Sequence, residues 1–228
     1  MEAKQKQNHS STRRKRGVTA ELIIDAAEKI IEEKGFEEFR LQDIADAIGI
    51  KQPSIYNHYA GRQAILSELS LRAVNGQLNL FDSDEAIDDP FAELVAGSRR
   101  LISFLASHIV YVRLLLLDLS SPTGLPEFNA VLGEPGELEK KTLGPMIEQL
   151  DRILAKGREN GTLREVDTVD FYHLIYGTSL VQLALIRPFP NPCNSPMEFV
   201  EVVQNLQAEI EELVLRPLLI SNPGPGTH

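Results

Sequence analysis

The chain has 228 residues, a hydrophobic fraction of 43% and a formal net charge of −10. Its longest apolar run, Leu114–Leu117, is far shorter than the roughly 20 residues of a membrane span, and no apolar segment follows the basic N-terminus as in a signal peptide. The single cysteine, Cys193, excludes an internal disulfide framework and fits a reducing compartment, so we expect a soluble, cytoplasmic protein.

Charge is distributed unevenly along the chain. Residues 1–16 contain six Lys or Arg and one acidic residue, whereas residues 76–228 contain 11 Lys or Arg and 22 Asp or Glu. This asymmetry favours contact with a polyanion at the N-terminal end alone. We expect residues 1–17 to form a disordered basic arm, which is either a solvated tail or an additional phosphate contact.

Four helices are predicted in the first 80 residues. The first covers Thr19–Lys34, where Leu22, Ala26 and Ile30 form one i, i+4 apolar series and Ile23, Ala27 and Ile31 form another, and a glycine C-cap follows. A short second helix covers Leu41–Ile48. The third extends from about Pro53, at its N1 position, to Tyr59, and the fourth from Arg62 to about Leu80.

Five further helices are predicted after an acidic linker at residues 82–90. They are separated by segments rich in proline and glycine, and strand-like alternation is almost absent. The sequence therefore predicts an all-α fold of about nine helices. The approximate bounds of the last five are Phe91–Ser107, His108–Leu119, Glu137–Asn160, Asp167–Arg187 and Met197–Leu215.

The segment Leu41–Tyr59 has the spacing of a helix-turn-helix. Ala45 is small enough for two helices to cross closely, and Gly49, four residues later, permits the positive φ of a tight turn. Any corner between two helices has the same requirements, so the outward face must decide whether this one binds DNA. The residues expected to face inward are Ile44, Ile48, Ile50 and Ile55.

The outward face of the predicted third helix is rich in side chains that bind DNA. Glutamine and asparagine amides pair with adenine, proline and tyrosine contact a thymine methyl group, and basic side chains bind phosphates. A surface helix with coincidental polar residues is the alternative. The residues assigned to DNA contact on this basis are Lys51, Gln52, Pro53, Ser54, Tyr56, Asn57, His58 and Arg62.

The sequence RLQDIADAIGIKQPSIYNHYAGRQAIL, residues 40–66, resembles the DNA-binding segment of tetracycline-repressor (TetR) family proteins. The shared pattern is Ile-Ala, a Gly-Ile turn, Ile-Tyr-x-His-Tyr and a basic residue at the start of the fourth helix. The resemblance extends over residues 19–75. It implies base contacts by Gln42, Gln52, Pro53 and Tyr56, an exposed contact by Asn57, and phosphate or packing contacts by Ser54, His58 and Arg62.

Two positions depart from the family pattern. Arg40 replaces the hydroxyl residue at the start of the second helix, so we expect no side-chain N-cap hydrogen bond there and a phosphate contact instead. Gln42 replaces an arginine of the founding family member. Adenine is therefore expected in place of guanine at the corresponding operator position.

The resemblance also implies the domain organisation and the mode of regulation. Residues 18–64 would form the DNA-binding domain, residues 65–220 a helical effector-binding and dimerisation domain, and residues 221–228 a disordered tail. The implied function is a repressor released from a palindromic double-stranded DNA operator by an unknown small-molecule effector. The alternative is a DNA-binding dimer controlled by a protein partner, or an architectural protein without a small ligand.

The last two predicted helices carry more apolar residues than one core should need. Because helix-turn-helix domains bind paired half-sites as dimers, this surplus predicts a homodimer with two helices per subunit in a four-helix interface. Packing of both helices inside a monomer is the alternative. The predicted interface residues are Leu174, Thr178, Val181, Leu185, Phe199, Val202, Val203, Leu206, Ile210 and Leu213.

The middle helices are expected, from the resemblance, to enclose the effector. The candidate lining residues, each of which also fits a plain core, are Phe104, His108, Tyr111, Met146, Leu150, Tyr172, His173 and Tyr176. The two histidines require hydrogen-bond partners if they lie among apolar neighbours. With no Cys or Asp cluster nearby, we predict no metal site and no cofactor.

The sequence contains no recognisable catalytic motif. A glycine-rich phosphate loop, a G-x-S-x-G elbow and a metal-binding motif are all missing. Cys193 lies in a proline-rich segment without a base close by in the sequence. We therefore expect a DNA-binding regulator and not an enzyme.

Overall fold

The computed structural model describes residues 20–82, 87–122, 143–185 and 196–220. The predicted basic arm, the C-terminal tail and the segment containing Cys193 lie outside these ranges. Within them the backbone is helical apart from turns, loops and one isolated antiparallel bridge between Leu163 and Leu219. The all-α prediction is confirmed.

Nine α-helices are present in the described residues. The first four are α1 (residues 20–34), α2 (Leu41–Ala47), α3 (Gln52–Ile55) and α4 (Arg62–Gln77). The next five are α5 (Pro90–Ser107), α6 (Ile109–Ser120), α7 (Gly144–Glu159), α8 (Thr168–Leu185) and α9 (Pro196–Ile210). A π-helical turn, Glu211–Leu215, and a 3-10 turn, Arg216–Leu218, follow α9.

Helix α3 is shorter than predicted. Gln52 is its first residue, so Pro53 occupies N2 and not N1, and regular helix ends at Ile55. Beyond it the chain tightens into turns, because the N–H of His58 donates to the Ile55 carbonyl (2.9 Å) and the N–H of Asn57 to that of Ser54 (3.3 Å). The predicted recognition helix is therefore one helical turn extended by tight turns.

Contacts divide the chain into two compact units, with a boundary inside α4 between Arg72 and Ala73. Among the described residues, the first unit consists of 20–72 and 117–122, and we call it the head. The second consists of 73–82, 87–116, 143–185 and 196–220, and we call it the body.

The head has an aliphatic core formed by α1, α2, α3 and the first part of α4. Leu22 was predicted to belong to the inward stripe of α1, but its side chain is exposed. The buried stripe is centred on the neighbouring series, which leaves Leu22 at its edge in the first turn. The fully or nearly fully buried side chains include Ile23, Ala27, Ile31, Phe39, Ile44, Ala45, Ile55 and Ile65.

The body is built on α5, α7 and α8, which pack against one another, with α9 against α5. Helix α5 has Pro90 at its start, and the Asp89 carboxylate caps it by accepting from the N–H of Phe91 (2.9 Å). No single helix of the described residues is long and apolar enough to cross a membrane. Helices α5 and α6 meet that composition only as a pair bent by 90°.

The C-terminal end of the described chain is fixed to the loop that follows α7. The N–H of Arg164 donates to the Leu218 carbonyl (2.9 Å), and that of Ile220 to the Thr162 carbonyl (3.0 Å). Gly161, with φ +72°, provides the left-handed residue that was predicted to end α7. Residues 218–220 therefore close the body by main-chain hydrogen bonds.

Gly97 of α5 is a position where a methyl group should destabilise the body. A Cβ there would lie 2.3 Å from Cδ1 of Phe81, whose ring is completely buried. We expect Gly97→Ala to lower the free energy of unfolding by about 1–3 kcal/mol, because neither helix nor ring can move freely. Chemical denaturation measures this, with Gly61→Ala as the control, since a Cβ at Gly61 meets no atom within 4 Å. Equal stability of the two variants would contradict the packing described.

Candidate DNA-binding site

The turn between α2 and α3 has the geometry that the sequence predicts. Gly49 adopts φ +69°, and the N–H of Ile50 donates to the carbonyl of Ala45 (2.9 Å). Ile44, Ala45 and Ile55 are completely buried, whereas Ile48 and Ile50, also predicted inward, are half-buried at the rim of the turn. The positive φ lets the chain reverse within three residues, so α2 and α3 share one core.

The start of α2 is held without a capping side chain from Arg40, as predicted. Instead, the Asp43 carboxylate accepts from the N–H of Arg40 (3.1 Å) and from Nζ of Lys34 (2.9 Å). The hydrogen bond from Lys34 is the main reason that the pKa of Asp43 lies below its usual value. The guanidinium of Arg40 takes no part in this cap, and Arg40 is exposed.

Arg62, the first residue of α4, packs on the surface of the head against the segment between α1 and α2. Its Nη2 donates to the carbonyl of Phe36, and its guanidinium lies 5.6 Å above the centre of the Phe39 ring. These contacts tie α4 to the segment between α1 and α2. The resemblance implies a phosphate contact or a packing contact for Arg62. The structure contains the packing contact, and the phosphate contact stays a prediction.

The other predicted DNA contacts lie on or next to the helix-turn-helix, and each is exposed or half-buried. Tyr56 is 53% exposed. Tyr59, in contrast, is half-buried; its hydroxyl donates to the Ala20 carbonyl (3.5 Å), and burial raises its pKa. The exposed residues are Arg40, Gln42, Lys51, Pro53, Tyr56 and Asn57, and the half-buried ones are Gln52, Ser54 and His58.

One contact at this surface was missed from the sequence. Nε2 of Gln42 donates to Oδ1 of Asp46 over 2.7 Å, which orients the glutamine amide along α2. The i, i+4 spacing of the two residues is the signal that could have predicted it. Asp46 is exposed, so it places a negative charge beside a residue expected to read a base.

Neutralising Asp46 should strengthen DNA binding. Asp46→Asn keeps an acceptor for Gln42 and removes a carboxylate that repels phosphates, so we expect an affinity gain of roughly three- to tenfold at low salt, shrinking as salt screens the charge. Titration with DNA at several salt concentrations measures it. Asp88→Asn, which neutralises an exposed carboxylate of the body, is the control and should change nothing. A loss of affinity in Asp46→Asn would show that this carboxylate contacts the DNA favourably.

The body brings several of the predicted effector contacts together. The hydroxyls of Tyr111 and Tyr176 lie 3.4 Å apart, and the rings of Tyr172 and Tyr176 are stacked at 5.1 Å. Tyr111, Met146, Leu150 and Tyr172 are buried, and Phe104, His108 and Tyr176 are half-buried. Gln77 of α4, which also hydrogen-bonds Tyr176, was missed from the sequence.

The two histidines have different surroundings. His108 has a hydrogen-bond partner, because its Nδ1 lies 2.9 Å from the Phe104 carbonyl, and its ring stacks on that of Phe104 at 4.2 Å. Its contact with an effector stays a prediction. His173 is not buried among apolar neighbours as expected, because its side chain is exposed on the outer side of α8. The inward side of α8 is instead occupied by its neighbour Tyr172. In the part of the chain that the structure describes, no three His, Cys, Asp or Glu side chains are grouped to hold a metal ion.

Comparison with known proteins identifies the head. The sequence profile described as "Bacterial regulatory proteins, tetR family" matches residues 23–69, which include α2, α3, most of α1 and the first half of α4. The head of this chain therefore contains a TetR-family DNA-binding segment. The protein is a DNA-binding transcriptional regulator of the helix-turn-helix type, and the function expected from the sequence is confirmed at that level.

Two Bacillus subtilis proteins are similar in sequence to this chain. Both are described as uncharacterized HTH-type transcriptional regulators. YobS is 39% identical over 66 residues, which are 29% of this chain and only 33% of YobS. YdeS is 26% identical over 168 residues, which are 73% of this chain and 79% of YdeS.

Solved structures of similar fold cover most of this chain, including the body. The ketosteroid transcriptional regulator KstR2 of Mycobacterium tuberculosis superposes with a TM-score of 0.59 at 19% identity, covering 91% of this chain and 96% of its own. PfmR of Thermus thermophilus, a TetR-family regulator, superposes with a TM-score of 0.56 at 24% identity, covering 85% of this chain and 97% of its own. At these identities the likeness concerns the fold alone.

The predicted dimer residues of this chain are only partly on its surface. Leu206 and Ile210 are wrong as interface residues, because they are buried against the body at 5% and 2% exposure. Nearby, Gln207 donates to the Arg99 carbonyl (3.0 Å) of α5, so this side of α9 faces inward. Leu174, Val181, Leu185, Val202 and Leu213 are exposed, and Thr178, Phe199 and Val203 are half-buried.

Proposed function

We propose that this protein is a homodimeric repressor that leaves a palindromic operator when a small molecule binds in its body. The observation that carries the proposal is the exposed aromatic and amide surface at α3 within a TetR-family head. In this proposal residues 18–64 read the DNA and residues 65–220 bind the effector and the second subunit. The protein acts in the cytoplasm, where the operator is accessible.

Base reading would rest on amide and aromatic side chains. Gln52 and Gln42 present amides suited to adenine, and Tyr56 and Pro53 suit a thymine methyl group. Few cations are involved, so the affinity should depend less steeply on salt than that of a strongly basic DNA-binding protein. The phosphate contacts would come from Lys51, Arg40 and, where free of its packing contacts, Arg62, with further polar contacts from His58, Ser54 and Asn57.

Dimerisation is supported by an apolar stripe along α8. Leu174, Val181 and Leu185 are spaced by seven and four residues on one side of the helix, and all three are exposed on the single chain. An exposed apolar row of this kind marks a protein interface. With Val202 and Leu213 supplied by the C-terminal segment, two helical elements per subunit would form a four-helix contact.

Control by a ligand is supported by α4, a single helix that begins in the head and ends in the body. Its last residues, Gly76 and Gln77, contact Phe104 and Tyr176 of the body. A molecule bound beside these residues would favour one position of the end of α4. By linkage, operator binding and effector binding must then weaken each other by the same factor.

Footprinting of the purified protein on genomic DNA, repeated with fractions of a metabolite extract, tests the proposal. We expect protected sites with two-fold symmetry and loss of protection with one small-molecule fraction. Release only by a protein fraction would replace the ligand with a partner protein. Protection of many dispersed sites without sequence preference would indicate an architectural role.

A further inference from the structure

We infer that the effector is an uncharged ring compound with an acceptor oxygen, such as a carbonyl, bound by the hydroxyl of Tyr172. This inference rests on the proposed control by a small molecule and names the chemical class of that molecule. The site is formed by Tyr111, Tyr172 and Tyr176, which we call the tyrosine cluster, beside the end of α4.

The three hydroxyls of the tyrosine cluster differ in whether they have a hydrogen-bond partner. Those of Tyr111 and Tyr176 lie 3.4 Å apart, and Tyr176 also hydrogen-bonds Gln77. Tyr172 is only 2% exposed, and its hydroxyl has no hydrogen-bond partner among the described residues. Buried hydroxyls nearly always have partners, because leaving one unsatisfied costs free energy. A ligand that supplies an acceptor to Tyr172 accounts for this group.

Two pairs of stacked aromatic rings lie beside the same part of α4. The rings of Tyr172 and Tyr176 stack at 5.1 Å, and those of Phe104 and His108 at 4.2 Å. The second stack approaches α4 because Gly76 has no side chain; a Cβ there would lie 2.4 Å from Cε2 of Phe104. Gln77, which follows Gly76, hydrogen-bonds Tyr176 of the other stack. Both stacks therefore contact the last turn of α4. Flat faces of this kind select ring compounds.

The tyrosine cluster has no charge with which to bind an ion. Burial raises the pKa of Tyr172 and of Tyr176 well above 10, and neighbouring tyrosines raise it further, so both stay neutral hydrogen-bond donors. His108 is engaged through Nδ1 with the Phe104 carbonyl. Four residues before Phe104 on α5, Arg100 donates through Nε to the Leu80 carbonyl (2.7 Å), and its Nη2 is buried without a hydrogen-bond partner among the described residues. An anionic ligand would have to engage Arg100 instead of the tyrosine cluster.

Three small probes separate these possibilities in binding titrations of the full chain without DNA. Acetophenone has a ring and a carbonyl, ethylbenzene lacks the acceptor, and benzoate adds a negative charge. We expect acetophenone to bind roughly tenfold more tightly than ethylbenzene, the value of one net hydrogen bond, and benzoate to bind more weakly than either.

Tyr172→Phe provides the decisive variant. It should lower the affinity for acetophenone to that for ethylbenzene and leave the affinity for ethylbenzene unchanged. Its melting temperature without ligand should equal or exceed that of the original chain, because an unsatisfied hydroxyl is removed. Tyr176→Phe, the matched control, loses a bonded hydroxyl and should melt lower. A purely structural role for the Tyr172 hydroxyl would lower the melting temperature of Tyr172→Phe instead.

Failure of the inference and failure of ligand control give different results. The inference is overturned if acetophenone does not bind, if benzoate binds as tightly, or if Tyr172→Phe leaves acetophenone affinity unchanged. If the probes bind as expected but saturating acetophenone leaves operator binding intact, the ligand site is supported. The proposal that this site controls DNA binding is then wrong. If a metabolite releases the operator while the probe series fails, ligand control stands and the assigned chemistry is wrong.

Discussion

Tyr56→Ala is expected to abolish specific operator binding while the protein stays folded and dimeric. The Tyr56 ring is 53% exposed, directly after α3, and packs in no core. A base contact is worth about 1–3 kcal/mol, and a dimer loses two copies, so the affinity should fall by roughly 30-fold to more than 1,000-fold. Mobility-shift titrations on selected sites measure the loss, and circular dichroism checks the fold.

Two further variants show whether Tyr56 contacts a base through its ring. Tyr56→Phe keeps the ring that would touch a thymine methyl group, so most of the affinity should be retained. Gln52→Ala should lose specific binding as Tyr56→Ala does, since its amide is the predicted partner of an adenine. Normal affinity of Tyr56→Ala or Gln52→Ala for the same operator would show that the recognition surface has been assigned wrongly.

Val181→Glu is expected to convert the dimer to monomers. Val181 lies at the middle of the apolar stripe on α8 and is 54% exposed on the single chain. A dimer would bury two unpaired carboxylates there at a cost of several kcal/mol in total, which weakens association by roughly 100-fold or more. Sedimentation equilibrium measures the effect. Operator affinity should fall as well, because each monomer would hold only one half-site.

Val169→Glu is the matched control for this interface. Val169 belongs to the same helix and is 45% exposed, but it lies off the row formed by Leu174, Val181 and Leu185. The variant should remain dimeric with unchanged operator affinity. If Val181→Glu also remains dimeric, α8 does not form the interface. If both variants dissociate, the contact is wider than the stripe.

The DNA-binding head could be predicted from the sequence because its determinants are local. Gly49 lies four residues after Ala45, and the positive φ that this spacing requires is present. The inward positions Ile44 and Ile55 follow from helical periodicity alone and are completely buried. Pro53 marked the start of α3 to within one residue. The early end of α3 could not be predicted, because the tight turns that follow depend on how the chain packs after it.

The body was predicted less completely, because periodicity says that a face is apolar but not what covers it. Leu206 and Ile210 looked like Val202 and Leu213 in sequence, yet only the first pair packs inside the body. Similarly, Tyr172 is buried and the adjacent histidine is exposed, which only the fold reveals.

The contacts proposed to bind the effector depend on segments distant in sequence. The sequence around Gly76 does not indicate why a glycine is needed there. The reason is the close approach of Phe104, which lies 28 residues away along the chain. Likewise, the Tyr172 hydroxyl, which has no hydrogen-bond partner among the described residues, is buried only once α8 has packed in the body. Such features require tertiary structure, so the sequence alone could suggest these residues but not their bonding.

Selection of binding sites from random-sequence DNA by the full-length protein tests the central claim most directly. We predict enrichment of one inverted repeat whose half-sites are centred about 10–10.5 base pairs, or a multiple of that, apart, with adenine and thymine at fixed positions of each half. Tyr56→Ala should enrich no such site. Enrichment of an asymmetric site, or of none, by the original protein would contradict the proposal of a dimer that reads a palindrome through α3.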